Sequence, residues 1–213
     1  MPAESPAPQP AALPTGNTRR WLSPFENAGD SAPVSVFFAH NTYHQVVEHA
    51  ASNMDDEVGG VLLGKWCADP ETARQYILVT GSLPARFTQH GNVFLTFTQD
   101  SLVDIHAKVD EEYPDDAIVG WYHTHPRMGV FLSQYDTWLH KHFFSEAWQV
   151  ALVIEPHSEV GGFFIRQAGG KLDPSHYFGF YELDGEPGQS VVRWKNLQPG
   201  PAEAENKGVD HHE

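Results

Sequence analysis

The sequence predicts a mixed α/β domain, with helices on both sides of a curved sheet, and three observations lead to this class. Short apolar runs typical of buried strands alternate along the chain with segments of helical periodicity. The chain has 213 residues, of which 40% are hydrophobic, and 13 Phe, 7 Tyr and 6 Trp supply bulky groups for a core. The two ends are instead rich in Pro, Ala and Gly, so they frame one domain.

The first half of the domain alternates strand and helix. Residues 34–40 predict a strand, and residues 41–54 predict an amphipathic helix. A strand follows at 57–66, where glycines permit close approach of a neighbouring backbone. Two more apolar runs, at 74–83 and 92–98, predict further strands.

The second half repeats this alternation. Residues 100–113 have the apolar spacing of a helix, which Pro114 ends. Residues 117–125 predict a strand, and Ser133 is a favourable N-cap for a helix over 133–144. The remaining apolar runs predict three strands, at 149–155, 161–167 and 176–183.

The two ends of the chain predict little regular structure. Residues 1–32 form a Pro/Ala-rich segment that we expect to be disordered, and residues 186–213 are expected to form a C-terminal tail. Trp21, Leu22 and Phe25 make a small apolar cluster inside the first segment. This cluster fits a partly ordered lead-in to the first strand, and it also fits a segment docked on the domain or on a partner.

Composition excludes several classes of function. The formal net charge is −15, from 28 acidic and 13 basic residues, which opposes binding to nucleic acid or to an anionic membrane. Cys67 is the single cysteine, so neither an internal disulfide nor a cysteine-based zinc module is possible. The first residues lack the features of a signal peptide, and no run is long enough to span a membrane. The expected compartment is the cytoplasm.

The segment GWYHTHPRMGVFLSQYD, at 120–136, carries the chemistry. His123 and His125 lie two apart on a predicted strand, so their side chains share one face. Asp136 follows in the first turn of the next helix. Two imidazoles and a carboxylate are a common ligand set for catalytic zinc, which keeps a further position for water. An alternative is that Ser133 and Asp136 only cap the helix, since Ser-x-x-Asp is close to an ordinary capping box.

The spacing resembles a known signature. The run His123-Thr-His125, then seven residues, Ser133, two residues and Asp136 is similar to that of the JAMM (MPN-plus) zinc metalloprotease family. That family also has an upstream glutamate followed by a Gly-rich apolar run, and EVGGVLLG supplies it as Glu57. The resemblance implies an MPN (JAB) fold of cytidine-deaminase-like architecture, with residues 33–185 as the catalytic domain.

The resemblance also implies a role for each residue of the motif. His123, His125 and Asp136 would bind one catalytic zinc ion, Zn²⁺. Glu57 would take a proton from the attacking water and pass it to the leaving amine. Ser133 would help to stabilise the oxyanion of the tetrahedral intermediate. Because the nucleophile is water, no covalent acyl-enzyme is expected.

The implied substrate is a small protein. Members of the family cleave the amide or isopeptide bond after the C-terminal Gly-Gly of ubiquitin or a ubiquitin-like protein. The compact chain is similar to prokaryotic members, so a β-grasp sulfur-carrier protein is also a candidate substrate, and the loop at 84–92 is where its tail would lie. The alternative is a zinc-free MPN scaffold that only holds partners. The sequence leaves the oligomeric state open.

Other residues of reactive type predict structural roles. His140 and His142 lie two apart on a helix, so they face different directions and are interpreted as structural or surface residues. Trp121 and Trp138 flank the motif and are expected in the core. His90 precedes a strand and could line a substrate channel, although a structural role is favoured.

Overall fold

The computed structural model describes residues 7–16, 18–27, 32–85, 88–91, 94–97, 99–183 and 189–201. For residues 88–91, 94–97 and 99–101 the structure describes the backbone alone. Three helices lie in the described residues, namely α1 (His40–Ala51), α2 (Gln99–Glu112) and α3 (Gln134–Phe143). No helix among these described residues has the length and apolar character needed to cross a membrane.

Most strands of the described chain belong to one mixed sheet. In chain order, the strands are β1 (Gln9–Pro10), β2 (Thr18–Leu22), β3 (Ser35–Ala39), β4 (Gly59–Ala68), β5 (Gln75–Pro84), β6 (Thr88–Gly91), β7 (Phe94–Phe97), β8 (Ala117–Thr124), β9 (Val150–Glu155), β10 (Val160–Phe164), β11 (Phe180–Leu183) and β12 (Gln198–Pro199). The sheet has the order β10-β9-β8-β4-β5-β3-β11-β2-β12, with β1 paired to β4. Strands β6 and β7 form a separate hairpin.

The sheet is curled, and this curl confirms the predicted α/β class with a curved sheet. Before the chain enters β11, Phe178 pairs with Phe163 of β10, at the opposite end of the strand order. The two ends of the sheet therefore approach each other. This pairing also explains why β11 begins at Phe180, later than the predicted start at 176.

Two glycines let the central strands approach their neighbours closely. A Cβ atom at Gly60 would collide with the carbonyl oxygen of Leu83, and one at Gly120 would collide with that of Val150. No other residue fits these positions without moving backbone, because a carbonyl oxygen cannot turn away as a flexible side chain can. The close backbone approach predicted for 57–66 is thus observed. It brings β4, β5, β8 and β9 into one layer, and two of these strands position the functional site.

Helix α1 covers the sheet with one apolar face. Its buried residues Tyr43, Val46 and Ala50 are spaced three and four apart, so they lie on the same side of the helix. Burial raises the pKa of Tyr43 to about 12, and its hydroxyl accepts a hydrogen bond of 2.8 Å from the backbone N–H of Arg193. Helix α1 therefore joins the sheet to the C-terminal part of the chain.

The prediction that residues 1–32 are disordered is wrong for residues 18–22. Residues 18–22 form β2, which pairs with β11. Trp21 is buried, and its indole N–H donates a 2.9 Å hydrogen bond to the Glu182 carboxylate. The apolar cluster of the N-terminal segment therefore docks on the domain, because pairing with β11 satisfies its backbone and covers the indole. Residues 1–6, 17 and 28–31 lie outside the described residues.

The prediction of a tail from residue 186 is also wrong where it covers residues 192–199. Val192, Trp194 and Leu197 are buried in the main core, and Gln198 pairs with Leu22 of β2. Glycine and proline on both sides of these residues, at 185–188 and 199–201, hid their apolar character in the sequence. Residues 184–188 and 202–213 lie outside the described residues, so a tail beyond Pro201 stays a prediction.

Candidate metal centre

Three side chains that the sequence placed in one ligand set converge in the structure. The Nε2 atoms of His123 and His125 lie 3.0 Å apart. Each lies 3.4 Å from a carboxylate oxygen of Asp136, Oδ1 for His123 and Oδ2 for His125. One ligand atom from each residue lies within 4.8 Å of the others, and all three residues are buried. The cluster could hold a metal ion.

The end of β8 fixes both imidazoles. His123 is opposite Gly59 of β4 and Val153 of β9, and the His125 N–H donates to the carbonyl of Ile154 at 2.8 Å. Since His123 and His125 are two residues apart on extended backbone, both rings leave the same face of the sheet. The strand thereby directs two Nε2 atoms toward one point.

Aromatic rings hold the two imidazoles in their orientations. Trp121, which is completely buried, stacks on His123 with ring centres 4.5 Å apart and an angle of 8° between the planes. Phe131 contacts the His125 ring at 4.7 Å. The Nδ1 atoms of His123 and His125 have no hydrogen-bond partner within the described part of the chain. Packing, rather than the hydrogen bond that usually orients a metal-binding histidine, fixes these rings.

Asp136 combines two roles that the sequence offered as alternatives. Its backbone N–H donates to the Ser133 Oγ at 3.1 Å, and its Oδ2 accepts from the Ser133 N–H at 2.7 Å. This is a complete capping box at the start of α3. The same carboxylate lies 3.4 Å from both imidazoles. The cap therefore fixes the carboxylate toward the cluster, and the two interpretations are compatible.

The charge states in the cluster suit metal binding. Burial lowers the pKa of His123, although Asp136 opposes this effect. Burial alone would raise the pKa of Asp136, but His123, His125 and Ser133 together hold it below its usual range. A neutral imidazole and an ionised carboxylate are the forms that bind metals. His123 and Asp136 are therefore held in forms that a metal ion binds.

Glu57 lies at the edge of the cluster. Its Oε1 is 3.8 Å from the Nε2 of His125, and 9% of its side chain is exposed. The next residue, Val58, donates its N–H to the Thr124 Oγ1 at 2.9 Å and accepts the Thr124 N–H at 2.9 Å. The residue between the two histidines thus anchors the segment that carries Glu57. The sequence interpretation missed Thr124, although a hydroxyl between two metal-type histidines was a usable signal.

Comparison with known proteins identifies the family. The profile described as JAB1/Mov34/MPN/PAD-1 ubiquitin protease matches residues 32–147, which is more than half of the chain. The chain belongs to this family. The family recognition made from the motif is therefore confirmed, as is the MPN fold.

Two individual proteins are similar to this MPN chain. The first is named NAD(+) hydrolase TcpA, from Theionarchaea archaeon (strain DG-70-1), and is 34% identical over 130 residues. The match covers 60% of this chain but only 36% of that relative. The activity in the relative's name therefore describes that longer protein and is not assigned to this chain. The second is the solution structure of protein DSY2949 from Desulfitobacterium hafniense, with 18% identity and a TM-score of 0.48 over 65% of this chain and 89% of that one.

The tryptophans that flank the metal motif follow the sequence predictions only in part. Trp121 lies in the core as predicted, but Trp138 is 47% exposed, so its assignment to the core is wrong. At about 100° per residue, Trp138 lies roughly 200° around α3 from the buried His140, so it is on the outer side of the helix. His142 is exposed and contacts the Trp138 carbonyl.

His140 has a structural role that the sequence left unspecified. It is buried, and its Nδ1 accepts a 3.0 Å hydrogen bond from the Trp121 indole. Burial, with a further contribution from the positive charge of Arg166, lowers the pKa of His140 to about 3. His140 therefore supports the tryptophan that stacks on His123. The side chain of His90 lies outside the described residues, as do residues 86, 87 and 92 of the predicted loop at 84–92, and the backbone of 88–91 forms β6.

Proposed function

We propose that this chain is a zinc-dependent peptidase that cleaves the amide or isopeptide bond after the C-terminal Gly-Gly of a ubiquitin-like or sulfur-carrier protein. The observation that carries the proposal is the buried cluster of His123, His125 and Asp136, with the Glu57 carboxylate 3.8 Å from His125. Membership of a family described as ubiquitin proteases supports the substrate class.

The ligand set favours zinc among the common metal ions. Two imidazoles and one carboxylate are typical of catalytic zinc sites, whereas calcium and magnesium prefer oxygen ligands alone. A zinc ion bound by His123, His125 and Asp136 would polarise the scissile carbonyl and make a water molecule acidic near neutral pH.

Glu57 is the proposed general base. Its carboxylate lies beside the cluster without being one of the three residues that form it. A base must reach the proton that it removes within hydrogen-bond distance, directly or through one water. The paired hydrogen bonds between Val58 and Thr124 restrain the backbone next to Glu57. Glu57 can therefore take a proton from water and return it to the leaving amine without a large movement.

Ser133 is proposed to stabilise the oxyanion. In the capping box its Oγ acts as an acceptor, for the N–H of Asp136. A hydroxyl has one donor and two acceptor positions, so capping leaves the O–H as a donor. This donor is fixed at the start of α3, where the helix dipole also favours negative charge. Ser133 thus supports both the position of Asp136 and the developing charge.

Apolar side chains around the cluster suit a protein substrate. Met128 is 40% exposed, and Phe131, which packs on His125, is 36% exposed. Together they form an exposed apolar border on the loop between β8 and α3. The net charge of −15 favours a substrate or partner with a basic face over nucleic acid.

The test is metal content combined with cleavage of a defined substrate. Protein purified without added metal should contain about one zinc per chain, the number that one such ligand set holds. It should cleave a ubiquitin-like protein that is fused to a reporter after Gly-Gly, and a chelator should stop cleavage until zinc is restored. Stoichiometric metal without cleavage of any Gly-Gly fusion would contradict the peptidase. A chain without metal would contradict the site itself and support the zinc-free scaffold alternative.

A further inference from the structure

The last residue of β9, Glu155, carries a buried carboxylate that the proposed mechanism does not use. Its Oε1 accepts from the backbone N–H groups of Arg127 and His157 at 3.0 and 2.8 Å, and its Oε2 accepts from that of Ser158 at 2.9 Å. Burial alone would raise the pKa of Glu155, but these hydrogen bonds hold it below its ordinary value. A buried, ionised carboxylate that backbone donors satisfy fixes the segments that supply those donors.

One of these contacts fixes the loop that follows the metal ligand His125. The residue before Glu155 accepts the His125 N–H at 2.8 Å, and the Met128 N–H donates to the His125 carbonyl at 3.1 Å. Between them, Arg127 has a φ of 63°, in the left-handed region that residues other than glycine rarely adopt. Such a conformation persists only where the surrounding contacts hold it. Glu155 therefore holds the turn that closes behind His125.

The other contacts of the carboxylate fix a turn that reaches the segment of Glu57. The N–H groups of His157 and Ser158 shape the turn between β9 and β10. From this turn, the His157 ring lies with its Nε2 2.7 Å from the Met54 carbonyl oxygen. Because a carbonyl can only accept, Nε2 is the donor. Met54 lies three residues before Glu57, so this bond holds the chain on the N-terminal side of the proposed base.

A second link joins the loop after β8 to the same segment. The Arg127 guanidinium lies 3.3 Å from the Asp55 carboxylate, and both side chains are exposed, so the pair contributes little stability by itself. The Asn53 side chain accepts from the Asp55 N–H at 3.1 Å, which makes these residues a compact turn. Both residues whose N–H groups share the Oε1 of Glu155 thus contact, with their side chains, the turn that precedes Glu57.

We propose that Glu155 is a positioning residue, an assignment that rests on the proposed peptidase function. Glu155 holds the loop behind His125 and, through His157, the N-terminal side of Glu57, whereas Thr124 holds the C-terminal side. The reacting groups need this restraint because a displacement of about 1 Å can lower a rate roughly 100-fold. Glu155 acts on them through the backbone.

The first measurement does not depend on cleavage. Amide hydrogen exchange of the full chain is followed by NMR in the wild type and in Glu155→Ala. Exchange should be about tenfold faster or more at Arg127 and His157, which lose a charged acceptor. It should also be faster at Val58, which donates to Thr124 and follows Glu57 in the chain. Unchanged exchange at Val58 would overturn the proposal.

A reference amide separates positioning from a general loss of stability. The Phe178 N–H donates to the Phe163 carbonyl at 2.7 Å, where the two ends of the sheet meet. Its exchange should change less than that of Val58 in the Glu155→Ala protein. Equal acceleration at both amides would make Glu155 a residue of general stability and would overturn the proposal.

The second measurement is cleavage of the Gly-Gly fusion. Glu155→Ala should lower kcat about 10- to 100-fold, with KM and zinc content near those of the wild type. Glu155→Gln keeps one oxygen that can accept from Arg127 and His157, so it should restore much of kcat. In the Glu57→Gln background, Glu155→Ala should cause little further loss, because the base that it positions is already gone. Independent, multiplying losses would overturn the proposal.

Two further variants complete the test. Glu159→Gln is the matched control, because it removes the same charge from the same turn, at a side chain that is 55% exposed and pairs with Lys195. Its exchange and kcat should match those of the wild type, and an effect as large as that of Glu155→Ala would overturn the proposal. His157→Ala removes an exposed side chain and its contact with Met54, so it tests the same path if Glu155→Ala does not fold. Unchanged exchange at Val58 in this variant would overturn the path. If the wild type cleaves no fusion, the peptidase proposal fails, and the exchange data still decide whether Glu155 holds the Glu57 segment.

Discussion

The two ends of β4 differ in how the side chains around them are arranged. At the Gly59 end, imidazoles and carboxylates are buried and lie within 4 Å of one another. At the Trp66 end, charged and aromatic side chains surround a cleft of about 1030 Å³. A reactive centre needs groups that converge on one point, whereas the cleft keeps its groups apart at its borders. Substitutions at the Gly59 end should therefore have the largest effects on the chemistry.

The largest expected effect comes from removing a metal ligand. His123→Ala and Asp136→Ala should each lose most of the zinc and all measurable cleavage, because a three-residue site has no spare ligand. Metal analysis and the Gly-Gly fusion assay measure both.

Loss of the helix cap must be separated from loss of the metal. Asp136→Ala removes the capping box as well as a metal ligand. Ser133→Ala removes the capping box but leaves the Asp136 carboxylate, and it should cost about 1 kcal/mol of stability. This variant should keep its zinc. If its zinc content fell as far as that of Asp136→Ala, capping rather than ligation would explain the metal loss.

The next effect is on catalysis alone. Glu57→Gln keeps the size of the side chain but removes its basicity, so cleavage should fall by roughly 10²- to 10⁴-fold, the usual contribution of a general base. Zinc content and thermal stability should stay near those of the wild type. Glu111→Gln, at an exposed position on α2, is the control for loss of one acidic charge. Wild-type activity in the Glu57 variant would show that another group activates the water.

Acid should lower the free energy of unfolding through His140, which lies between the two ends of β4. His140 accepts from Trp121, behind the metal cluster, and its carbonyl accepts from Arg166, in the cleft. Its pKa is about 3 in the folded chain, against an ordinary value of about 6.5 for histidine. Because the unfolded chain binds the proton more readily, the free energy of unfolding should be complete above pH 6.5 and fall between pH 6.5 and 3, by a few kcal/mol at most.

A variant assigns this loss to one residue. His140→Gln keeps an acceptor for the Trp121 indole but does not titrate. Denaturant unfolding of both proteins across this pH range should give a flatter dependence for the variant. The same slope in both proteins would show that other groups cause the acid sensitivity.

The smallest expected effect concerns the position of Glu57. Thr124→Val keeps the shape of the side chain but removes the acceptor for the Val58 N–H, which should cost about 1–3 kcal/mol of stability. Activity should fall mainly through kcat, with zinc retained, because the base is displaced while both histidines stay. Thr124→Ser should restore activity. Failure of serine to restore it would assign the effect to the methyl group and its packing.

The metal cluster at one end of β4 could be predicted from the sequence, whereas the cleft at the other end could not. The metal cluster was predictable because His123, His125 and Asp136 lie within one short segment whose spacing follows from a strand and a helix start. The cleft combines Arg20, Trp66, Arg74, Trp148 and Tyr181, which no local pattern relates.

The terminal strands were missed for a similar reason. The pairing of β2 with β11 and β12 is a long-range contact between short segments, and neither segment has a strong strand pattern of its own. Tertiary pairing decided their structure, whereas the periodic segments between 34 and 167 carried enough local signal to be placed.

The pairing of β2 also sets an order for assembly during synthesis. Trp21 and its acceptor Glu182 are 161 positions apart in the chain. At a translation rate of about 5–20 residues per second, roughly 8–30 s pass between the appearance of one and the other. Until then the N-terminal strand has no partner on the ribosome, and its indole stays in water. Closure of that side of the sheet must follow the synthesis of nearly the whole domain.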